Sequence, residues 1–297
     1  MHQLWRPGDR VAVAVSGGVD SVVLLHLLHQ TRTLHRGVLS VVTVDHGTRP
    51  ESATEAALVG VMAATLGLPC HTAVRALGAE ASEALCRDAR FEAFSALDCE
   101  AIALAHHADD QAATVLLQLM RGAGTRGMGG MRARRGRVVR PLLGVRKHEI
   151  RAWAENQKLS WSEDPTNHQA RFLRNRVRAE LLPLMEEMRP GAVDALARGA
   201  GLAAEDDRFL DELAAALPQT KQAGWDASWV GGSSSAMVGR VLRQRFPALT
   251  AAHLQCLQEL ARNGQGRLQL AGGEVVEVEA GRVHLYEKGA GRLGRGG

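Results

Sequence analysis

The first half of the chain alternates short apolar runs with longer segments that carry apolar residues at helical spacing. The short runs predict strands at Val11–Val15, Val38–Val44, His71–Val74 and Ala101–Ala105. The longer segments predict helices at Val22–His29, Ala53–Leu66, Ala81–Leu97 and Gln111–Met120. Buried strands that alternate with helices predict an α/β fold with a doubly wound parallel sheet, covered by helices on both faces.

The second half of the chain has a different pattern. We expect a short strand at Val138–Leu143 and, towards the end, a hairpin within Arg267–Tyr286 that turns at Ala280-Gly281. Further helices are predicted at Arg146–Lys158, Phe172–Met188, Ala192–Leu217 and Ala251–Arg262. Gly122–Arg137 has no hydrophobic period and is predicted to be an exposed, mobile loop. A composition change near Pro190 predicts two domains, residues 1–190 and a smaller α+β domain with its connecting helix over residues 191–297.

A glycine turn directly after the first strand is the most informative motif. The segment Ser16-Gly-Gly-Val-Asp-Ser21 links the apolar strand to a helix start. Glycine lets the backbone approach a ligand closely, and the amides at a helix start attract phosphate. The segment lacks the Gly-Lys-Ser/Thr of a Walker loop and is not Gly-x-Gly-x-x-Gly. The alternative is a purely structural strand–turn–helix corner in which Ser21 caps the helix.

Polar clusters follow the second and fourth strands as well. Asp45-His46-Gly47 follows one, and His106-His107-Ala-Asp109-Asp110 follows the other. In a doubly wound sheet, ligands bind beyond the carboxyl ends of the strands, so one shared site is predicted. Zinc is disfavoured, because no tetrahedral set has the usual spacing. Carboxylates at a helix start also have a bland role, the stabilisation of the helix dipole.

Composition restricts the class of protein. The 297 residues carry a net charge of +4 with 4% aromatic residues, and basic residues concentrate between Arg121 and Arg151. This local excess favours a polyanion such as nucleic acid, with a solvated basic loop as the alternative. The four cysteines form no Cys-x-x-Cys pair. The chain start does not resemble a signal peptide and no run approaches a membrane span, so a cytoplasmic protein without a membrane partner is expected.

Taken in order, these motifs resemble the tRNA(Ile)-lysidine synthase family, a branch of the N-type ATP pyrophosphatases. The resemblance spans about 180 residues and includes Arg121-Gly-Ala-Gly-Thr-Arg-Gly127, Arg140-Pro-Leu-Leu143, Glu163-Asp-Pro-Thr-Asn167 and Arg174-Asn-Arg-Val-Arg178. It implies an ATP pyrophosphatase domain over residues 1–190 and a tRNA-binding role for residues 191–297. The implied reaction adenylates the wobble cytidine of a CAU-anticodon isoleucine tRNA and joins L-lysine to its 2-carbon. ATP and Mg²⁺ are the implied cofactors, and a homodimer is an open expectation.

The resemblance also implies residue roles. The implied nucleotide-binding positions are Ser16, Gly17, Gly18, Val19, Asp20, Ser21, Asp45 and His46, with Asp20 as the magnesium ligand. The implied catalytic set is Asp20, Arg90, His106, Asp110, Arg174 and Arg178. Asp45, His106 and Asp110 are expected to orient lysine, with His106 or His107 as a base. Binding of tRNA is assigned to Arg121, Arg126, Arg132, Arg134, Arg135 and Arg137.

One departure and three rival functions stay open. The family often has Glu where this chain has Ala113, so Asp110 becomes the carboxylate on which the prediction relies. The nearest rival is a tRNA cytidine thiolase of the same superfamily, which would normally show paired Cys-x-x-Cys motifs. An ATP-dependent amide or guanine-nucleotide synthetase would need a glutaminase, and nothing in the sequence resembles one. A non-enzymatic RNA-binding protein would have a decayed nucleotide site.

Overall fold

The computed structural model divides into two compact units, Met1–Ala204 and Glu205–Gly297. The structure describes residues 4–78, 80–162, 173–217, 224–246, 249–270 and 273–287. The division falls inside a long helix, Ala192–Ala216, whereas the composition change at Pro190 marks the turn before that helix. In the described residues, no helix is both long enough and apolar enough to cross a membrane.

A six-stranded sheet forms the centre of the first unit. Its strands are β1 (Arg10–Ala14), β2 (Val38–Asp45), β3 (Cys70–Val74), β4 (Ala101–Ala103), β5 (Arg134–Arg135) and β6 (Val138–Val139). They lie in the order β3-β2-β1-β4-β6-β5, and every neighbouring pair is parallel except β5 with β6. The order reverses direction on either side of β1, which is where a doubly wound sheet opens a ligand crevice. The predicted doubly wound parallel sheet is therefore confirmed.

Helices connect these strands and continue beyond them. The helices of the first unit are α1 (Val19–Gln30), α2 (Arg32–His35), α3 (Ser52–Thr65), α4 (Glu83–Ser95), α5 (Ala108–Met120), α6 (Thr125–Met128), α7 (Lys147–Asn156), α8 (Leu173–Arg176) and α9 (Leu182–Met188). The long helix Ala192–Ala216 is α10. Between α8 and α9 the chain makes a π-helical turn at Val177–Leu181. Such a turn is frequent at functional sites, and the predicted helix Phe172–Met188 did not anticipate it.

The sheet is buried on both faces by apolar side chains. On one face, Val11 and Val13 of β1 pack with Leu24 and Leu25 of α1 and Ile150 of α7. On the other, a smaller cluster contains β-strand residues and Phe94 of α4. These five side chains are fully or almost fully buried. Burying each leucine contributes about 1.5–3 kcal/mol. This core fixes the ends of β1, β2 and β4, from which the polar clusters emerge.

The second unit contains a four-stranded antiparallel sheet. Its strands are β7 (Trp225–Asp226), β8 (Gly266–Gln269), β9 (Glu274–Glu279) and β10 (Arg282–Glu287), in the order β7-β10-β9-β8. Its remaining helices are α11 (Ala227–Gly232), α12 (Ser235–Arg245) and α13 (Ala251–Asn263). The predicted hairpin is confirmed, because β9 and β10 turn at Ala280 and Gly281.

The glycine- and arginine-rich segment is more ordered than the sequence suggests. The predicted exposed loop over Gly122–Arg137 is largely exposed, but it is not a loop throughout, because α6 and β5 lie within it. Gln111 of α5 explains the order. Its side-chain amide donates to the carbonyl of Met131 at 3.0 Å, and its side-chain oxygen accepts from the Met131 amide at 2.7 Å. A single buried amide thus fixes the returning chain, which no local pattern reveals.

Candidate active site

The glycine turn after β1 forms a compact backbone loop at the start of α1. Gly17 has φ of +88°, a conformation that favours glycine. The Ser21 hydroxyl donates to the Gly18 carbonyl at 2.8 Å and accepts from the Ser16 amide at 3.2 Å. Gly18 is the residue before the helix, so Val19 and Asp20 lie in its first turn. The first amides of a helix have no partner within it, and this turn can therefore receive a phosphate group.

A buried histidine lies among three carboxylates beside this loop. His107 is completely buried. Its Nε2 lies 3.7 Å from Asp20 Oδ2 and 3.4 Å from Asp110 Oδ2, and its Nδ1 lies 3.5 Å from Asp109 Oδ2. The predicted site residues Asp20 and Asp110 lie in the first turns of the helices that follow β1 and β4. The imidazole of His107 lies between them. The sequence suggested His107 only as a base, whereas in the structure it is the centre of the cluster.

The two carboxylates nearest to Nε2 of His107, those of Asp20 and Asp110, have pKa values shifted in opposite directions. Burial raises the pKa of Asp20, although the charges of His107 and Lys147 oppose the effect. Burial would also raise the pKa of Asp110, but His107 and Arg178 outweigh it and the pKa is lowered. Asp20 Oδ1 is buried and has no hydrogen-bond partner in the described part of the chain. A buried carboxylate oxygen without a donor is suited to a cation.

Arginines from α8 and from the π-helical turn complete the cluster. Arg178 Nη2 lies 2.8 Å from Asp110 Oδ1, and Arg174 Nη2 lies 3.8 Å from the same oxygen. Both arginine side chains are about one-third exposed, at 31% for Arg178 and 30% for Arg174. They therefore contact Asp110 and remain partly accessible to a ligand. Glu163 to Asn167 lie outside the described residues.

His106 has a different environment from its neighbour. Arg140 Nε donates to His106 Nδ1 at 3.3 Å. Burial, opposed by Asp110 and reinforced by Arg140, lowers the pKa of His106 to about 4. The ring is thus neutral at pH 7, with its proton on Nε2 because Nδ1 accepts. This geometry favours a hydrogen-bond donor at Nε2 over the general base that the sequence suggested.

Asp45, the last residue of β2, and His46, which follows it, lie at the same edge of the sheet. Asp45 Oδ1 accepts from the Ser52 hydroxyl at 2.6 Å and from the Gly47 amide at 2.9 Å, which lowers the pKa of Asp45. Burial and the positive charge of Arg90 lower the pKa of His46. Arg90, on α4, is therefore electrostatically close to His46. Both printed contacts of Asp45 within the described part of the chain go to Oδ1, which shapes the loop, so among these residues Oδ2 is left to contact a ligand.

Ala113 lies in an apolar cluster rather than in the polar centre. It is completely buried on α5 with Leu117, Val177 and Leu182. An alanine here lets the π-helical turn pack against α5 without a charge to satisfy. The described carboxylates of the centre are consequently supplied by the starts of α1 and α5.

The six arginines assigned to tRNA separate into two groups. Arg121, Arg126 and Arg132 are exposed, and the Arg132 carbonyl accepts from Arg140, the residue that also contacts His106. Arg134 and Arg137 instead donate to backbone carbonyls, of Leu4 and Gly136 for Arg134 and of Leu97 and Cys99 for Arg137. Arg135 is exposed and pairs in the sheet with Val138. Leu97 and Cys99 precede β4, so Arg137 lies at the opposite end of that strand from His106.

Sequence reasoning missed the supports of the cluster. Asp109 accepts from the Lys147 amide at 2.8 Å and lies 3.5 Å from Arg146 Nε. Arg146 also contacts Glu186 at 2.9 Å and Asp194 at 3.2 Å, so it ties the starts of α7 and α10 to α5. The contact with His107 and the hydrogen bond from the Lys147 amide outweigh burial and lower the pKa of Asp109. The acidic pair at the start of α5 was the one sequence signal that pointed to this region. Nothing in the local sequence indicates that Arg146 and Lys147, far along the chain, contact it.

The described residues contain no group of three or more His, Cys, Asp or Glu side chains suited to hold a metal ion. Magnesium differs from zinc in this respect, because one or two carboxylates and the substrate phosphates commonly hold it. Asp20, with its unpartnered oxygen, and the neighbouring Asp110 fit that requirement.

Comparisons with known proteins agree with this geometry. The chain is 41% identical to a tRNA(Ile)-lysidine synthase of Alkalilimnicola ehrlichii over 70% of its length, and 41% identical to one of Pseudomonas aeruginosa over 71%. It is 35% identical to one of Solibacter usitatus over 99% of its length. The chain spans about half of the first two relatives, at 49% and 50%, and 64% of the third.

The fold is also found among solved structures. The U34-tRNA thiolase NcsA of Methanococcus maripaludis, solved with its [4Fe-4S] cluster, superposes with a TM-score of 0.58 at 17% identity. The match covers 69% of this chain and 75% of the thiolase, and it shows a shared fold. A family model described as the PP-loop domain matches residues 2–185, which include β1, the glycine turn and the His107 cluster. The chain therefore belongs to the PP-loop domain family.

Proposed function

We propose that this chain is a tRNA(Ile)-lysidine synthase that modifies the wobble cytidine of a CAU-anticodon isoleucine tRNA. The observation that carries the proposal is the similarity to proteins of that name, which in one case extends over 99% of the chain. ATP adenylates the 2-oxygen of the cytidine and pyrophosphate leaves. The ε-nitrogen of L-lysine then bonds to the 2-carbon and gives up a proton, and AMP leaves with the former base oxygen.

The site geometry is compatible with the adenylation step. The loop of Gly17 and Gly18 would hold the departing pyrophosphate through backbone amides. Arg174 and Arg178 would neutralise the charge that develops on it, because guanidinium groups contact phosphates through fixed, permanently charged forks. Asp20 and Asp110 would hold Mg²⁺, which supplies further charge neutralisation when bound.

Recognition of lysine is the less constrained part of the proposal. The free oxygen of Asp45 and the donor Nε2 of His106 are the groups available at the sheet edge to orient an amino acid. His46 and Arg90 lie on the same side and suit the carboxylate end of lysine or the nucleotide. The second unit, with its antiparallel sheet, would contact the body of the tRNA.

Lysine incorporation into unmodified tRNA tests the function directly. Radiolabelled lysine and ATP are supplied with an isoleucine transcript bearing a CAU anticodon and, as the matched control, a methionine transcript with the same anticodon. We expect label in the isoleucine tRNA alone, with one pyrophosphate released per lysine. Pyrophosphate release without label would contradict the proposal and point to a different acceptor, such as the sulfur of a thiolase.

The two groups of arginines predict different effects on tRNA binding. Arg132→Glu is expected to weaken tRNA affinity several-fold and to reduce the slope of log K against log salt by about 1, because one phosphate contact is lost. Arg134→Glu makes the same charge change in the same segment, but the Arg134 side chain already donates to the carbonyls of Leu4 and Gly136, so we expect a smaller effect. Filter binding of tRNA between low and high salt measures both. Equal effects would mean that the whole segment follows the RNA backbone.

A further inference from the structure

The start of α7 is fixed beside the catalytic cluster by backbone hydrogen bonds. Lys147 is the first residue of α7, and its amide donates to Asp109 Oδ2 at 2.8 Å. The Ala108 amide, at the start of α5, donates to the Val145 carbonyl at 2.8 Å. Ile150, almost one turn further along α7, packs against apolar residues of α1. The backbone of Lys147 is therefore held in one place relative to α1 and α5.

The side chain of Lys147 is not held in this way. It is exposed, and it forms no ion pair with the residues that the structure describes. Its charge nevertheless reaches the catalytic cluster, since it acts on Asp20 and opposes the rise in the pKa of that carboxyl. Arg178 acts on Asp20 as well, but it is paired with Asp110 at 2.8 Å. Arg146, the residue before Lys147, contacts three carboxylates. Lys147 is thus a cation whose charge is still available to a ligand.

A phosphate group bound in the glycine turn would lie next to a carboxylate. Asp20 is in the first turn of α1, directly after the glycine turn, and its Oδ1 has no hydrogen-bond partner among the described residues. Two negative groups side by side repel each other unless a cation lies close to both. Mg²⁺ held by Asp20 would neutralise part of this charge, and Lys147 is placed to neutralise more. A lysine ammonium is a compact charge on a flexible stem, so it can follow a phosphate group that moves.

We propose that the ammonium of Lys147 contacts the two terminal phosphates of ATP and remains with them as pyrophosphate leaves. The inference rests on the proposed function, which supplies the nucleotide and the reaction. The 2-oxygen of the cytidine bonds to the α-phosphorus, and the bond from that phosphorus to the bridging oxygen breaks. The electron pair of the broken bond stays on the oxygen of the departing pyrophosphate, where the ammonium stabilises the negative charge. Lys147 is then a catalytic residue beside Arg174 and Arg178.

Two lysines at opposite ends of α7 provide a matched pair of variants. Lys147→Gln removes the charge but keeps the backbone amide that donates to Asp109, so the variant should fold. Lys158→Gln removes the same charge at an exposed position just beyond the other end of the helix. At 1.5 Å per residue, the two positions are roughly 16 Å apart along the helix axis. Lys147→Arg is the conservative variant, which keeps the positive charge.

The probe is inorganic pyrophosphate with Mg²⁺, titrated into the full-length chain in a calorimeter, with AMP titrated in parallel. For Lys147→Gln we expect about tenfold weaker binding of pyrophosphate, because a hydrogen bond to a charged group is lost. Its binding of AMP should be unchanged, since AMP lacks the two terminal phosphates. Lys158→Gln should bind both ligands as wild type does. Lys147→Arg should keep most of the pyrophosphate affinity, because the charge is retained.

Three outcomes would overturn the proposal. The first is wild-type affinity of Lys147→Gln for pyrophosphate. The second is an equal loss of affinity in Lys158→Gln, which would reduce the effect to the general charge of the surface. The third is a parallel loss of AMP affinity in Lys147→Gln, which would place the ammonium at the α-phosphate.

Transfer of lysine to tRNA by wild type reports separately on the proposed function. If Lys147→Gln loses pyrophosphate affinity while wild type transfers no lysine, the phosphate contact is supported and the lysidine reaction is not. If wild type transfers lysine and Lys147→Gln binds pyrophosphate as wild type does, the reaction stands and the phosphate contact is overturned.

Discussion

Asp20→Asn is expected to reduce pyrophosphate release from ATP by at least about a hundredfold, since charge stabilisation in the transition state is commonly worth that much. Asp20 is the carboxylate whose Oδ1 lacks a hydrogen-bond partner among the described residues. It lies in the first turn of α1, directly after the glycine turn. An amide of the same shape cannot replace its negative charge as a cation ligand. Release of pyrophosphate under saturating ATP and tRNA measures the loss.

The same substitution should leave the fold intact or make it more stable. Burial raises the pKa of Asp20, so its ionised form is less favourable in the folded than in the unfolded chain. This cost is present at neutral pH, and asparagine removes it. Urea unfolding at pH 7 should therefore give a free energy of unfolding equal to or above that of wild type. Loss of activity without loss of stability assigns Asp20 to the chemistry.

Asp88→Asn is the control for this experiment. Asp88 is an exposed carboxylate on α4, so its replacement makes the same chemical change away from the cluster. It should leave pyrophosphate release and stability close to wild type. Wild-type release by Asp20→Asn would contradict the assignment of the cation site.

Arg178→Gln is expected to lower both activity and stability, whereas Arg174→Gln should lower activity with little effect on stability. Arg178 lies 2.8 Å from Asp110 Oδ1, and Asp110 is only 6% exposed. Breaking a buried ion pair costs about 3–5 kcal/mol. The partial exposure of Arg178 reduces this to about 2 kcal/mol, because solvent screens the pair. Arg174, at 3.8 Å from the same oxygen, should cost under about 0.5 kcal/mol.

The loss of stability in Arg178→Gln should depend on pH in a defined direction. The pKa of Asp110 is below its ordinary value, so its pairing stabilises the fold above the ordinary pKa and is lost as pH falls through the folded value. Wild type and Arg178→Gln should thus differ most at neutral pH and converge in strong acid. Unfolding free energies measured between pH 7 and pH 3 check the sign. A difference that grows towards acid would contradict the pairing.

A double variant separates the structural and catalytic roles of Arg178. In Arg178→Gln/Asp110→Asn both charges are removed, so no buried carboxylate is left without its partner. We expect the double variant to recover most of the lost stability. Pyrophosphate release should stay at least about a hundredfold below wild type, because neither charge is available to the transition state. Recovery of activity together with stability would make the pair purely structural.

The local sequence pattern was sufficient for most of the central fold. The strand and helix periods placed β1 to β4 and α1, α3, α4 and α5 to within a few residues, because most of them bury an apolar face. The edge strand β3 is the exception, since its residues are exposed or half-buried. The glycine turn could also be predicted from the local sequence, because the positive φ at Gly17 favours glycine. Short elements such as α6 and β5 were missed, because a few residues cannot show a hydrophobic period.

The sequence also placed the polar clusters at one edge of the sheet, because parallel strands bring their carboxyl ends to the same edge. What that rule does not give is the pairing of side chains across distant segments. Arg137 illustrates the difference: its sequence neighbours suggested RNA, yet its guanidinium holds carbonyls before β4. A charge run states only composition, and the fold decides which charges are already neutralised.

The sequence by itself determined the α/β class, the glycine turn after β1, the strand ends that carry the polar residues and the membership of the PP-loop domain family. These depend on local periodicity and short motifs, which are properties of neighbouring residues. Only the tertiary structure decided that His107 lies between Asp20 and Asp110, that Arg178 pairs with Asp110, and that Arg146 joins the start of α7 to α9 and α10. Each of these joins segments far apart in the chain, and it is the packing of helices against one another and against the sheet that sets such distances.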